Sequence, residues 1–330
     1  KISIPEPDQP ILPDPSEITR ESKPLLFVEP DTAKQQALAD IGRLEKQLDI
    51  DPLREDQVQQ QMLLFARSGN FAGSLRAYTQ LQRRFADELG IDPLPETLAI
   101  RDSILAARLS PLHNLKPDAS QFVGREEELN SIAAKLTSNG CRMLTLLGLG
   151  GMGKTRLARA VIRKLASADW RYFLHGIWFV SLAPINLEID PQAFAYAIAN
   201  ACNIPISGSE SIEQQLFKWF ADREALLVLD NFEHVIGQAV WVDELLAHAP
   251  KLKILVTSRQ RLNIAPEHIF PIFGFSNSKT TPEASPREML GDGSRLFLLT
   301  SRKLQPSFRP DAFDLQNIRK ICTLVNGKIG

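Results

Sequence analysis

Eight consecutive residues carry the clearest chemistry in this chain: Gly148-Leu149-Gly150-Gly151-Met152-Gly153-Lys154-Thr155. The spacing is G-x-x-x-x-G-K-T. Glycines at such positions let successive backbone amides turn inward around a phosphate, where a Cβ would obstruct. Lys154 is then expected to bridge β- and γ-phosphates, and the Thr155 hydroxyl to ligate Mg²⁺. The apolar run 143–147 precedes the loop, and a helix-forming stretch beginning at Arg156 follows it. Strand, glycine loop and helix N-terminus are the context this motif requires, and the helix end adds partial positive charge beside the anion. A glycine-rich turn with no phosphate is the alternative, and the flanking elements weigh against it.

A second constellation lies 76 residues beyond Lys154. Leu226-Leu227-Val228-Leu229-Asp230 is an apolar strand ending in an acid. A carboxylate there sits beside the phosphate loop and can hold the magnesium shell through water. Asn231 follows instead of a second acid, which leaves the water-activating base open between Glu233, His234 and neither. A further apolar run, 253–258, leads into Arg259. An arginine at that position can contact a γ-phosphate and distinguish triphosphate from diphosphate. Arg261 is its near competitor. Lys154, Asp230 and Arg259 are the candidate catalytic residues, and Thr155 with Asp230 the candidate metal ligands.

Positioning these residues requires a parallel sheet. From residue 121, short apolar runs at 142–147, 177–182, 225–230, 252–258 and 268–272 alternate with amphipathic stretches. Strands alternating with helices imply βαβ units covered on both faces. The reading is an α/β P-loop NTPase domain over 121–284. A short helical subdomain begins at 285 and runs to 330, with Leu296, Leu298 and Leu299 on one helix and Phe313, Ile318, Ile321 and Leu324 on the next.

The preceding third is different. Residues 31–110 read as an all-α domain. Asp31 and Thr32 are expected to cap a helix whose face is Leu38, Ile41, Leu44 and Leu48. Helices over about 54–68, 71–89 and 95–110 follow, the one over 71–89 presenting Leu75, Tyr78, Leu81 and Phe85. Gly69, Ser74 and Tyr78 fit the turn, small and aromatic positions of tetratricopeptide-like pairs, and an ordinary helical bundle is the alternative. Seven of the 22 prolines fall in the first 30 residues, so 1–30 is expected to be an extended arm, and 111–120 a linker.

Composition excludes several classes. Of 330 residues, 44% are hydrophobic and 23% charged, which is ordinary for a globular protein. The net charge of −1 divides unevenly: residues 1–120 carry 14 Lys+Arg against 19 Asp+Glu, and residues 121–330 carry 24 against 20. No global basic field exists to hold nucleic acid. No run approaches a membrane span of about 18 apolar residues, and no secretory signal opens the chain. Cys141, Cys202 and Cys322 are widely spaced and odd in number, which favours a reducing, cytoplasmic setting. The chain begins at Lys1 with its first methionine at Met62, and reads as a piece of something longer.

At this point the residues resemble a family. Val123-Gly124-Arg125 followed by three glutamates and Leu129, then GLGGMGKT at 148–155, LLVLDN at 226–231 and VTSR at 256–259, is similar to the NB-ARC module of STAND signalling ATPases. That class includes apoptosome scaffolds and plant disease-resistance proteins. The segments LDIDPLREDQ at 48–57 and DELGIDPLPET at 87–97 resemble the bacterial transcriptional activation domain of AfsR/SARP-type regulators, whose large members join the two in this order.

The resemblance implies that Val123, Gly124 and Arg125 pack on adenine and ribose. Gly148, Gly150, Gly151, Met152, Gly153, Lys154, Thr155 and Arg156 cradle ATP or ADP, and Arg259 is the sensor arginine. Residues 325–330 look like the approach to a Gly-x-Pro-Leu segment. Members usually add winged-helix DNA-binding domains; none is visible, so DNA contact is expected only through such a domain. The implied function is a nucleotide-dependent switch with slow hydrolysis, acting through protein partners or self-assembly via the helical domain. A scaffold with structural nucleotide and a metabolic P-loop kinase or ligase are the competing readings.

Overall fold

The computed structural model describes residues 29–117, 122–167, 170–275, 291–305 and 307–324. The expected arm over 1–30, apart from its last two residues, the boundary near 284 and the expected motif at 325–330 lie outside them.

Four helices form the N-terminal layer: α1 (Pro30–Ile50), α2 (Glu55–Arg67), α3 (Phe71–Arg84) and α4 (Pro95–Leu109). Asp31 and Thr32 do not cap α1. The helix starts at Pro30 behind Glu29, with no side-chain cap bond, because proline's fixed φ suits a first turn. Its buried face is Ala37, Ile41 and Leu44, with Leu48 packed beside the core, while Leu38 is 55% exposed. The heptad seam runs through residue 37, and residue 38 turns about 100° away from it.

Gly69, at φ +79°, reverses the chain between α2 and α3, and Asn70 caps α3 by accepting from Gly73 N. Ser74 is fully buried and donates to Met62 O at 2.8 Å. A larger side chain there would hold the two helices apart. Tyr78, Leu81 and Phe85 complete the core with Val58, Met62, Ala66 and Ile104. The last turn of the third helix, Phe85–Leu89, widens to π geometry before Gly90 in the left-handed region.

The second unit is a parallel sheet between helices. Its elements are α5 (Glu126–Thr137), β1 (Met143–Leu147), α6 (Lys154–Leu165), β2 (Ala166–Ser167), β3 (Trp170–Arg171), β4 (Ile177–Ser181), α7 (Ala193–Ala201), α8 (Ile212–Ala221), β5 (Leu226–Asp230), α9 (Ala239–His248), β6 (Lys253–Ser258) and β7 (Glu267–Pro271). Strand order is β4-β5-β6-β1-β7, every pairing parallel. All five expected strands are present to within one residue at each end. The β2–β3 hairpin was not expected; two-residue strands leave no periodicity to read.

The strands are apolar on both faces because both are covered. One core joins α7, α8 and α9 to the sheet, and the other joins α5 and α6. Two C-terminal helices follow, α10 (Asp292–Leu304) and α11 (Ala312–Leu324). Leu298, Ile318 and Cys322 form their shared core, whereas Phe313 and Ile321 are 69% and 46% exposed and so leave the face expected of them. All three cysteines are free and buried.

Residues 111–117 are bound to the sheet and do not span it as a free linker. Ile177 N donates to Leu112 O at 3.0 Å, and the Asn114 side chain both accepts from Phe179 N and donates to Phe179 O. The outer edge of β4 offers unpaired backbone groups, and the connecting segment satisfies them. Among the described residues no helix is long and apolar enough to cross a membrane.

Candidate functional site

Strand order assembles the site. β6 lies between β1 and β5, so the C-terminal ends of three neighbouring strands deliver the glycine loop, Asp230 and Thr257-Ser258-Arg259 to one edge. Ligands of open α/β sheets bind at such an edge. Gly148 leaves β1 with its N–H on Ser258 O, and a Cβ on it would stand 2.7 Å from Ile272 O, so only glycine fits. Gly151 and Gly153 have φ of +77° and +79°, left-handed geometry that glycine adopts without a Cβ penalty. Lys154 opens α6 directly behind Gly153, placing the loop on a helix N-terminus.

The polar groups converge. Lys154 is 7% exposed, and its ammonium donates to Gly148 O at 2.7 Å and Leu149 O at 3.0 Å. Burial pushes its pKa below the ordinary lysine value, with Glu233 opposing that shift. Thr155 Oγ1 donates to Asp230 Oδ1 at 2.8 Å. Asp230 is 2% exposed and also accepts from Thr257 Oγ1 at 2.6 Å. Thr257 in turn accepts from Asn231 N at 3.0 Å. Asn231 has φ +63°, a conformation asparagine tolerates better than most residues, and so it serves as the hinge into the next turn. Arg259 Nε lies 3.0 Å from Glu233 Oε1, and its guanidinium reaches over Gly150.

The two candidate bases separate. Glu233 faces the loop with a side chain 11% exposed; His234 is exposed on the surface.

Val123, Gly124 and Arg125 lie on the far side of the loop. Val123 is buried, and Gly124, at φ +73°, accommodates the Asp292 carboxyl where a Cβ would stand 2.3 Å from it. Arg125 caps α5 in the left-handed region and donates from Nη2 to Phe273 O at 2.7 Å. Its guanidinium stacks 4.7 Å from the Phe275 ring centroid, and Nη1 is buried without a hydrogen-bond partner. Burial lowers its pKa from the ordinary arginine value. Val123, Arg125, Gly151, Met152, Gly153 and Arg156 line one cleft together with Phe122, Phe275 and Leu296. A group entering this cleft would contact Phe275 and, on α10, Leu296.

Thr257 and Asp292 were not expected from the sequence. A polar pair, Thr257-Ser258, ending an otherwise apolar strand was the signal available for the first. For Asp292, at the start of a helix 167 residues from Arg125, no local signal existed.

Comparison with known proteins agrees with this arrangement. The Bacterial transcriptional activator domain matches residues 26–105, and the NB-ARC domain matches residues 125–271. An uncharacterized protein of Mycobacterium tuberculosis is 29% identical over 220 residues, which are 66% of this chain and 51% of that protein. The regulatory protein AfsR of Streptomyces coelicolor is 31% identical over 253 residues, covering 66% of this chain and 24% of AfsR. The chain thus spans about half the length of the first relative and about a quarter of the second. A STAND protein with a tetratricopeptide repeat sensor from Pyrococcus horikoshii shares 17% identity at a TM-score of 0.38, covering 65% of this chain and 30% of that one, a likeness too distant to bear on the fold. The chain thus joins a bacterial transcriptional activator domain to an NB-ARC domain of the P-loop NTPase fold, and is similar to the regulatory protein AfsR over 66% of its length.

Proposed function

We propose that this chain is the nucleotide-dependent switch of a bacterial transcriptional regulator, binding ADP and Mg-ATP with slow hydrolysis. The observation that carries the reading is the contact of Thr155 with Asp230 beside a loop whose lysine, among the described residues, has the loop's own carbonyls as its hydrogen-bond acceptors. A buried ammonium and a neighbouring guanidinium at a helix N-terminus are built for a polyanion. Thr155 and Asp230 supply the hard oxygen donors that Mg²⁺ takes, its other positions falling to phosphate and water. When bound, the cation neutralises charge on the β- and γ-phosphates.

In this reading Gly148–Thr155 hold the phosphates, Arg259 senses the γ-phosphate, and Val123 and Arg125 meet the base. Because Phe275 and Leu296 cap the base cleft, nucleotide occupancy is coupled to where α10 sits. That coupling supplies the differential interaction a switch requires. The helical unit, 31–110, is the effector part, transmitting the change to protein partners or to further copies in the cytoplasm. The absence of a second acid after Asp230 fits slow turnover better than a metabolic kinase.

The test is to denature the purified chain, identify the released nucleotide, and titrate the stripped chain with ADP and ATP with and without Mg²⁺. Binding that Lys154→Ala abolishes, while the variant keeps its parent's circular dichroism, is the expected result. A folded chain with no affinity for either nucleotide refutes the proposal.

A further inference from the structure

Glu233 is the half-buried acid of the site, its carboxylate oxygens out of contact with solvent, and it has no assigned role so far. It is the second residue of the 3-10 turn Phe232–Gln238, entered through the left-handed Asn231. Phe232, fully buried, anchors the opposite side of that turn with its ring edge-on to Phe194 at 6.0 Å. The anchor leaves Glu233 directed toward the glycine loop. Both of its carboxylate oxygens are buried, and neither accepts a hydrogen bond. Its close neighbour is Arg259 Nε at 3.0 Å, off the line a hydrogen bond needs, so the contact is ionic and poorly directed.

A buried carboxylate with no directed donor is an expensive arrangement, retained where it serves a purpose. The surroundings suggest which one. Arg259 lies between Glu233 and Gly150 of the loop, and Lys154 is the neighbouring cation. The loop amides receive a β-phosphate whether or not Arg259 is free. A γ-phosphate needs Arg259, and brings negative charge toward Glu233. Diphosphate is therefore compatible with the Glu233–Arg259 pair, and triphosphate has to break it.

We propose that Glu233 is a restraint on the sensor: it holds Arg259 in an ion pair that only the γ-phosphate displaces, and so biases the resting site toward ADP. This rests on the nucleotide-switch reading and adds the residue that sets its ADP/ATP balance. Glu233 acts through Arg259 and is a positioning residue, not a catalytic one. Glu233→Gln keeps the shape of the side chain and removes the charge.

The experiment measures Kd for ADP and for a non-hydrolysable ATP analogue in the intact chain, in Glu233→Gln, in Arg259→Gln and in the double variant, with turnover recorded alongside. Expected is a shift of the ATP-to-ADP affinity ratio toward ATP by about tenfold in Glu233→Gln, within the range of ordinary coupling between sites, and no shift when the same change is made in Arg259→Gln. An unchanged ratio in Glu233→Gln overturns the restraint, and so does an equal shift in both backgrounds, which would mean direct repulsion of phosphate. Lost turnover at an unchanged ratio would assign Glu233 to water activation and overturns it as well. A parent chain that binds neither nucleotide overturns the switch reading itself, a distinct outcome.

Discussion

Thr257 is the residue through which the two halves of the sheet edge beside the glycine loop hold each other, and Thr257→Val tests that directly. Valine preserves the branched shape in a strand position with no exposure. It removes the 2.6 Å bond to Asp230 and the acceptor of Asn231 N, 3.0 Å away. Losing a hydrogen bond to a charged group costs about 1.5–3 kcal/mol, and leaving a buried N–H unpaired costs about 1–3 kcal/mol. The added methyl returns about 1 kcal/mol through burial. The net loss is about 3 kcal/mol.

All four tryptophans, Trp170, Trp178, Trp219 and Trp241, lie in the NB-ARC unit, so their emission follows its unfolding. With a urea slope of about 2 kcal/mol per molar, the midpoint should fall by about 1.5 M. Thr257→Ser keeps the hydroxyl and should recover most of the loss. A valine midpoint within about 0.3 M of the parent, or a serine variant as weak as valine, would refute the reasoning.

Two further outcomes follow from the face between the units. Arg67 donates to both Glu224 oxygens at 2.9 and 3.1 Å and to the carbonyls of Arg171 and Tyr172. Arg67→Ala should weaken docking by about 2 kcal/mol and speed limited proteolysis within 110–121 by about thirtyfold; an unchanged cleavage rate would count against a docked connector. His175, 1% exposed, accepts from Glu224 N at Nδ1, so its Nε2 proton goes to Ser103 O at 3.0 Å. Burial holds its pKa below the ordinary 6.5, Arg223 lowering it further and Glu224 opposing. The folded state thus favours the neutral ring: its contribution is complete above pH 6.5 and falls with acidification by up to about 1.4 kcal/mol per unit. His175→Gln should flatten the dependence of the unfolding midpoint between pH 7.5 and 5.5, and a slope equal to the parent's would refute that role.

How much of this was legible beforehand follows from the range of the interactions. The glycine loop, the apolar strand into Asp230 and the small-residue turn at Gly69–Ser74 are local patterns, and each element formed where its residues predict. The start of α1 and the buried faces of α1 and α11 differ from the expected ones by a residue or two, because periodicity over one helix leaves the rotation of the seam open. Leu38, Phe313 and Ile321 are exposed for that reason.

The glycine loop and the existence of both units were thus written in the linear order of the residues. What only the tertiary structure decided is which distant groups meet. Thr257 reaches Asp230 because β6 separates β1 from β5, Asp292 fills the space above Gly124, and residues 111–117 close the edge of β4. Strand order and edge pairing are set by burial on both faces of the sheet and by satisfaction of backbone groups. Neither leaves a signature at the individual residue, and so Glu233, one acid among many in the sequence, acquires its place beside Arg259 only when the sheet assembles.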